Sequence, residues 1–271
     1  MALKNIWYDN AHSKHEKITE IKDKKNDYLI FKYAYDTIGK FSIHDKKTVQ
    51  KKQTDMSYIT SMAKINRDTK ILAGDNEGTI KLCNLDDKNF ADDIASYSLG
   101  NDDVAINCIC ASKTKNEFYV LYNCNFVAKF FVDLENNDKD KILRKVATYK
   151  ISEENEMFCD MILTEDDKYL FVGGSSRILF QFSASHLKLI QRFKFKENIT
   201  TLCAAKHKKL LFIGDISGNL YVISTLNQTI IKKHIKYHHC SIWSMAVLND
   251  KFLLSSDIEG CLRQYCISTG K

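Results

Sequence analysis

Proline is missing from all 271 residues. Its absence removes the residue that pre-sets φ in common turns and stops helices and strands. Chain reversals must therefore come from Gly, Asn, Asp and Ser. Together with the strong bias to lysine over arginine, this reads as a low-GC coding signature. No run of 18 apolar residues exists, which argues against a membrane-spanning helix. The first residues, MALKNIWYDNAHSKHEK, lack the apolar core of a secretory signal. No CxxC pair appears among the nine cysteines, so neither a disulfide framework nor a zinc-ribbon spacing is suggested. Walker A, Rossmann and metal-protease patterns are also absent. GDISG at Gly214–Gly218 is not a nucleophile elbow, because it sits in a hairpin turn. Arginine is scarce (Arg67, Arg144, Arg177, Arg192, Arg263), and arginine does most bidentate recognition of phosphates and bases.

What is present is ordinary for a globular chain. Apolar residues make up 44% and aromatics 11%, and the aromatics suit sheets. The net charge of +6 permits contact with acidic surfaces without demanding it. Cys83, Cys108, Cys110, Cys159, Cys203, Cys261 and Cys266 fall inside predicted strands. They read as small, reduced core residues in a cytoplasmic or nuclear setting.

The pattern repeats. Similar first-strand runs begin at Ile18, Ile59, Ile106, Phe158, Ile199 and Ile242, at intervals of 41, 47, 52, 41 and 43 residues. Each is followed by two more short strands, and usually by a fourth. In the second repeat these are Lys70–Gly74, Thr79–Asn84 and Ile94–Leu99; in the fifth they are Lys209–Gly214, Asn219–Ser224 and Thr229–His234. A period near 40–45 residues with several short strands predicts an all-β chain, a six-bladed β-propeller, as a single domain over residues 1–271. The sixth repeat stops before a fourth strand. Leu3–Tyr8 belongs to no repeat, so it is expected to pair with Cys261–Ile267 and close the last blade. The alternative is seven blades, the extra one drawn from Asp86–Asp103 and Asp133–Glu156.

Within the last repeat, His238 stands four residues before Ile242, Glu259-Gly260 occupies a turn, and Tyr265 follows in the third strand. The second repeat reads LAGDNEGTIKLCN and the fifth IGDISGNLYVIS. These units resemble degenerate WD repeats. His238 takes the place of the family's Gly-His histidine, Glu259-Gly260 that of its Asp-Gly turn, and Tyr265 that of the Trp in Trp-Asp. The resemblance implies a propeller that serves as an interaction scaffold. With no Trp-Asp retained, it also implies that the family's buried Ser-His-Asp-Trp network is mostly lost. The Phe-Arg-Arg-Gly motif of phosphoinositide-binding propellers is absent.

Gly78, Gly218 and Gly260 precede third strands where a tight turn needs positive φ, and Asp75, Asp215 and Asp257 lie three residues earlier, placed to bond turn amides. Their repetition favours turn capping over catalysis. His238-His239-Cys240 has metal-ligand chemistry, but adjacent residues on an extended chain point apart and no second cluster completes a site by spacing. No metal and no cofactor are therefore expected. Lysines collect in the turns after first strands (Lys22/Lys24/Lys25, Lys113/Lys115, Lys206/Lys208/Lys209) and on fourth strands. They read first as a solvated surface that keeps edge strands from pairing. Acidic groups Asp86/Asp87/Asp92/Asp93, Asp102/Asp103 and Glu153/Glu154/Glu156 cluster in repeats two to four, suggesting charge split around the blades.

The second residue of each first strand forms a column at the expected channel mouth: Thr19, Thr60, Asn107, Cys159, Thr200 and Trp243. Five are small or polar. Trp243 stands out as an aromatic anchor for a partner. The expected function is a non-catalytic scaffold that binds a peptide or folded protein on that face. An adaptor for RNA or anionic membranes ranks second and a propeller enzyme third.

Overall fold

The computed structural model describes residues 19–22, 27–65, 69–86, 88–100, 104–123, 125–151, 157–164, 166–205 and 208–270. These form six antiparallel sheets in sequence order. The first contains β1 (Thr19–Lys22), β2 (Asp27–Ala34), β3 (Thr37–Ser42) and β4 (Lys47–Gln53). The second has β5 (Ile59–Lys64), β6 (Lys70–Asp75), β7 (Thr79–Asn84) and β8 (Asp93–Ser98), and the third β9 (Ile106–Ala111), β10 (Glu117–Tyr122), β11 (Phe126–Val132) and β12 (Leu143–Lys150). The fourth comprises β13 (Phe158–Leu163), β14 (Tyr169–Gly174), β15 (Ile178–Ser183) and β16 (Lys188–Lys194). The fifth comprises β17 (Ile199–Ala205), β18 (Leu210–Asp215), β19 (Leu220–Ser224) and β20 (Thr229–His234). The sixth has three strands, β21 (Ile242–Leu248), β22 (Phe252–Asp257) and β23 (Leu262–Cys266).

This is the strand order of a six-bladed β-propeller. The stretches considered for a seventh blade hold β8, a one-turn helix α1 (Lys139–Ile142) and β12. The closing strand expected at Leu3–Tyr8 lies outside the described residues.

The strands follow their sequence periods. Second and third strands such as β6 and β7 are apolar runs buried on both faces, whereas outer strands β4 and β16 alternate between exposed and half-buried positions. The chain divides into two compact units, residues 1–111, 115–123 and 130–146, and residues 112–114, 124–129 and 147–271. In the first unit a core cluster joins Ile30 and Ile38 of the first sheet to Met62, Ile71 and Cys83 of the second. In the second unit, Phe171 and Leu179 of the fourth sheet pack on Leu202, Ile213 and Tyr221 of the fifth. Phe212 and Leu220 of the fifth pack in turn on Ile242, Leu253 and Tyr265 of the sixth.

A repeated glycine permits this approach. A Cβ on Gly74 would lie 2.8 Å from Ile106, one on Gly173 2.8 Å from Ile199, and one on Gly214 2.8 Å from Ile242. In each case the first apolar residue of one inner strand seats on the bare second-strand glycine of the preceding sheet.

Candidate functional site

The expected column falls on a backbone irregularity. Residues 60, 107, 159, 200 and 243 are each skipped in the pairing of their inner strand with the second strand. A bulge places two residues opposite one and re-aims the extra side chain. Thr19 differs, because it pairs in register with Ile30.

In the second unit the bulged side chains tie neighbouring sheets together. The Cys159 thiol lies 3.7 Å from Gly173 O and 3.3 Å from Ile199 O, the latter in the next sheet. Thr200 Oγ1 donates to Gly214 O at 3.1 Å and to Ile242 O, also in the next sheet, at 2.6 Å. In the first unit Thr60 donates to Gly74 O at 3.1 Å, and Asn107 is half-buried. The position after the bulge acts in the opposite sense. Ser61 Oγ accepts the Ile109 N–H at 2.9 Å, and Asp160 Oδ2 accepts the Leu202 N–H at 2.7 Å. Small polar side chains thus satisfy backbone groups that the bulges leave unpaired.

Trp243 breaks this pattern. It occupies the same bulge and is 43% exposed. The turns between second and third strands lie at this end of each sheet: Ser175 N donates to Met157 O, Ile216 N to Asn198 O and Ile258 N to Ser241 O. Met157, Ile216 and Ile258 are exposed there as well. One end of sheets four to six therefore presents four large apolar side chains, of which the sequence reading singled out Trp243. The other three were missed because each follows or precedes a turn signal and reads as loop.

The turn acids behave as expected. Oδ1 of Asp75 accepts from Glu77 and Thr79, that of Asp215 from Ser217 and Asn219, and that of Asp257 from Glu259 and Cys261. Gly218 has φ +79°, and a Cβ there would overlap the carbonyl of His238.

His238 is 0% exposed. Its Nδ1 lies 2.9 Å from Asp257 Oδ2, and its Nε2 lies 2.7 Å from Ser255 Oγ, itself 1% exposed. The last repeat therefore joins Ser255, His238 and Asp257 in one buried network, and Tyr265 is buried in the same sheet. Burial raises the Asp257 carboxyl, but the hydrogen bonds from His238 and the Cys261 N–H outweigh it and leave the pKa below its ordinary value. The contacts have the order of a Ser-His-Asp triad. The hydroxyl is sealed from solvent, so the set holds the sheet together.

Charge is largely used in place. Lys81, 6% exposed at its side chain, pairs with Asp55 and Asp93, and Lys52 pairs with Asp92. Asp92 and Asp93 of the expected acidic cluster are therefore neutralised within the second sheet's surroundings. Lys40 Nζ donates to Leu85 O and Lys129 Nζ to Ser185 O, each fastening a turn of the next sheet. Of the cysteines read as core, Cys83, Cys108 and Cys203 are buried; Cys261 is exposed and Cys266 partly so, because both lie on or beside β23, where no described fourth strand covers them.

No family model matches the chain, and no curated protein matches it in sequence. Among solved structures, a chain of "Crystal Structure of Mitotic Checkpoint Complex" superposes with a TM-score of 0.73 at 12% identity, covering 92% of this chain and 73% of that one. Solved chains that match number 1751, so the fold is widely shared and fixes no activity by itself. At that identity the likeness establishes the architecture alone: the chain has the six-bladed β-propeller fold.

Proposed function

We propose that the chain is a non-catalytic protein-interaction scaffold of WD-repeat type, a single domain working in the cytoplasm or nucleus. Its docking face is the end of sheets four to six where Met157, Ile216, Trp243 and Ile258 emerge. The observation that carries this reading is Trp243. At the equivalent bulges Cys159 and Thr200 bond to backbone carbonyls, whereas Trp243 stands 43% exposed among other apolar side chains. Buried aromatics ringed by weaker contacts dominate protein interfaces. A peptide or folded partner that covers Trp243 would use Thr200 and Cys159 as the polar floor beside it. The structural neighbour comes from a multi-protein complex, which supports a partner of protein class.

The test compares the proteins captured by the full chain with those captured by Trp243→Ala and by Leu248→Ala, an exposed control at the far end of the same strand. A partner of this face loses affinity by roughly 30-fold in Trp243→Ala and keeps it in Leu248→Ala. Equal capture by all three folded proteins removes the assignment.

A further inference from the structure

Among the described residues, one group brings three metal-ligating side chains together. An imidazole nitrogen of His238, a carboxylate oxygen of Asp257 and the Sγ of Cys261 lie within 4.8 Å of one another. One thiol, one imidazole and one carboxylate supply three protein ligands for a borderline-soft divalent cation, with solvent to complete a tetrahedral set. Magnesium and calcium, which take six or more oxygens, do not fit it.

The surroundings orient each donor. Ser255 Oγ engages His238 Nε2 at 2.7 Å, which turns Nδ1 toward the cluster, 2.9 Å from Asp257 Oδ2. A ligating histidine is commonly fixed through its other nitrogen in this way. The amides of Glu259 and Cys261 occupy Asp257 Oδ1 and leave Oδ2 directed at the other donors. Gly218 packs under the carbonyls of His238 and Cys240, and the His238 N–H donates to Gly218 O at 2.9 Å, which holds the loop against the sheet. Around zinc, bonds of about 2.0–2.3 Å put ligand atoms about 3.3–3.8 Å apart. The His238 nitrogen and the Asp257 oxygen already lie 2.9 Å apart, and the exposed Cys261, whose sulfur is within 4.8 Å of both, is the ligand that closes in.

We propose that His238, Asp257 and Cys261 bind one Zn2+ ion, which cross-links the loop before β21 to the turn after β22. Binding releases the Cys261 thiol proton to solvent and replaces the His238–Asp257 hydrogen bond with two metal bonds. The ion would stiffen the turn carrying Ile258 beside Trp243, although the site stands whether or not that face binds a partner.

The full chain, purified under reducing conditions without chelator, is titrated with Zn2+ against a chromophoric chelator, and Co2+ is substituted for absorption spectroscopy. The expected result is one tight equivalent and a thiolate-to-cobalt charge-transfer band. Affinity drops at least about tenfold in Cys261→Ser, and Cys266→Ser is unchanged. Cys261 is exposed, so its substitution leaves the core intact and keeps the test decisive. No stoichiometric zinc, equal affinity in Cys261→Ser and the parent chain, or a cobalt spectrum without a thiolate band overturns the proposal.

Discussion

The fifth and sixth sheets are built from the same strand pattern and end differently. Asp215 and Asp257 both cap their turns through Oδ1. In the fifth sheet the second oxygen is satisfied locally, by Asn219 Nδ2 at 2.7 Å and the Tyr221 hydroxyl at 3.3 Å. Burial and the neighbouring Asp215 push the Tyr221 phenol up to about 12, which keeps it a donor. In the sixth sheet that oxygen reaches His238, from a loop whose own N–H is anchored on Gly218 of the fifth. Packing differs in the same direction. Every residue of β19 is buried, whereas β23 buries Tyr265 and leaves Leu262 69% exposed. One unit is closed by its own side chains and the other leans on its neighbour. The less covered sheet is the one that presents Trp243 and the thiol–imidazole cluster.

The largest test of this contrast is a pair of truncations. Phe212→Ala in the fifth sheet removes a fully buried ring and should cost about 3–5 kcal/mol, read as a fall in the urea midpoint. Leu262→Ala in the sixth should stay within about 0.5 kcal/mol. Equal losses would show that Leu262 is covered in solution and that the sheets do not differ. Next comes His238→Ala, measured with chelator present. It strips Asp257 and Ser255 of their buried partner and should cost about 2–4 kcal/mol; a loss below about 1 kcal/mol would mean the network contributes little.

The smallest effect is chemical. Hydrogen bonds from Ser268 and Thr269 lower the Cys266 thiol to about 7. Its thiolate therefore forms as pH rises through neutrality, and alkylation by iodoacetamide should reach half its maximal rate near pH 7. The buried Cys203 of the fifth sheet should react only after unfolding. Labelling of both at equal rates in the folded protein would erase the distinction.

Much of this was legible beforehand. The period set by Ile59, Ile106, Phe158, Ile199 and Ile242 places inner strands within one residue of where they lie, because alternating and continuous apolar runs encode which faces are covered. The turn role of Asp75, Asp215 and Asp257 was readable from their fixed distance to Gly78, Gly218 and Gly260, since an Asx turn is a local interaction. The column was readable as a register position but not as a row of bulges. Pairing slips of one residue depend on both strands and leave no mark on either. Spacing along the chain offers His238 no further metal-ligating neighbours to complete a site. The donor atoms of Asp257 and Cys261 come within 4.8 Å of it from the turn between β22 and β23, a proximity that spacing cannot show.

By itself the sequence determined what its short-range physics controls: strand periods, the turn glycines Gly78, Gly218 and Gly260, and the aspartates that close turns. Tertiary structure decided what each equivalent position does. Thr200 and Trp243 occupy the same bulge, yet one bonds across to Ile242 O and the other faces solvent. The physical reason is coverage. A side chain's role depends on whether a neighbouring backbone or water meets it, and that is settled only when sheets distant along the chain come into contact.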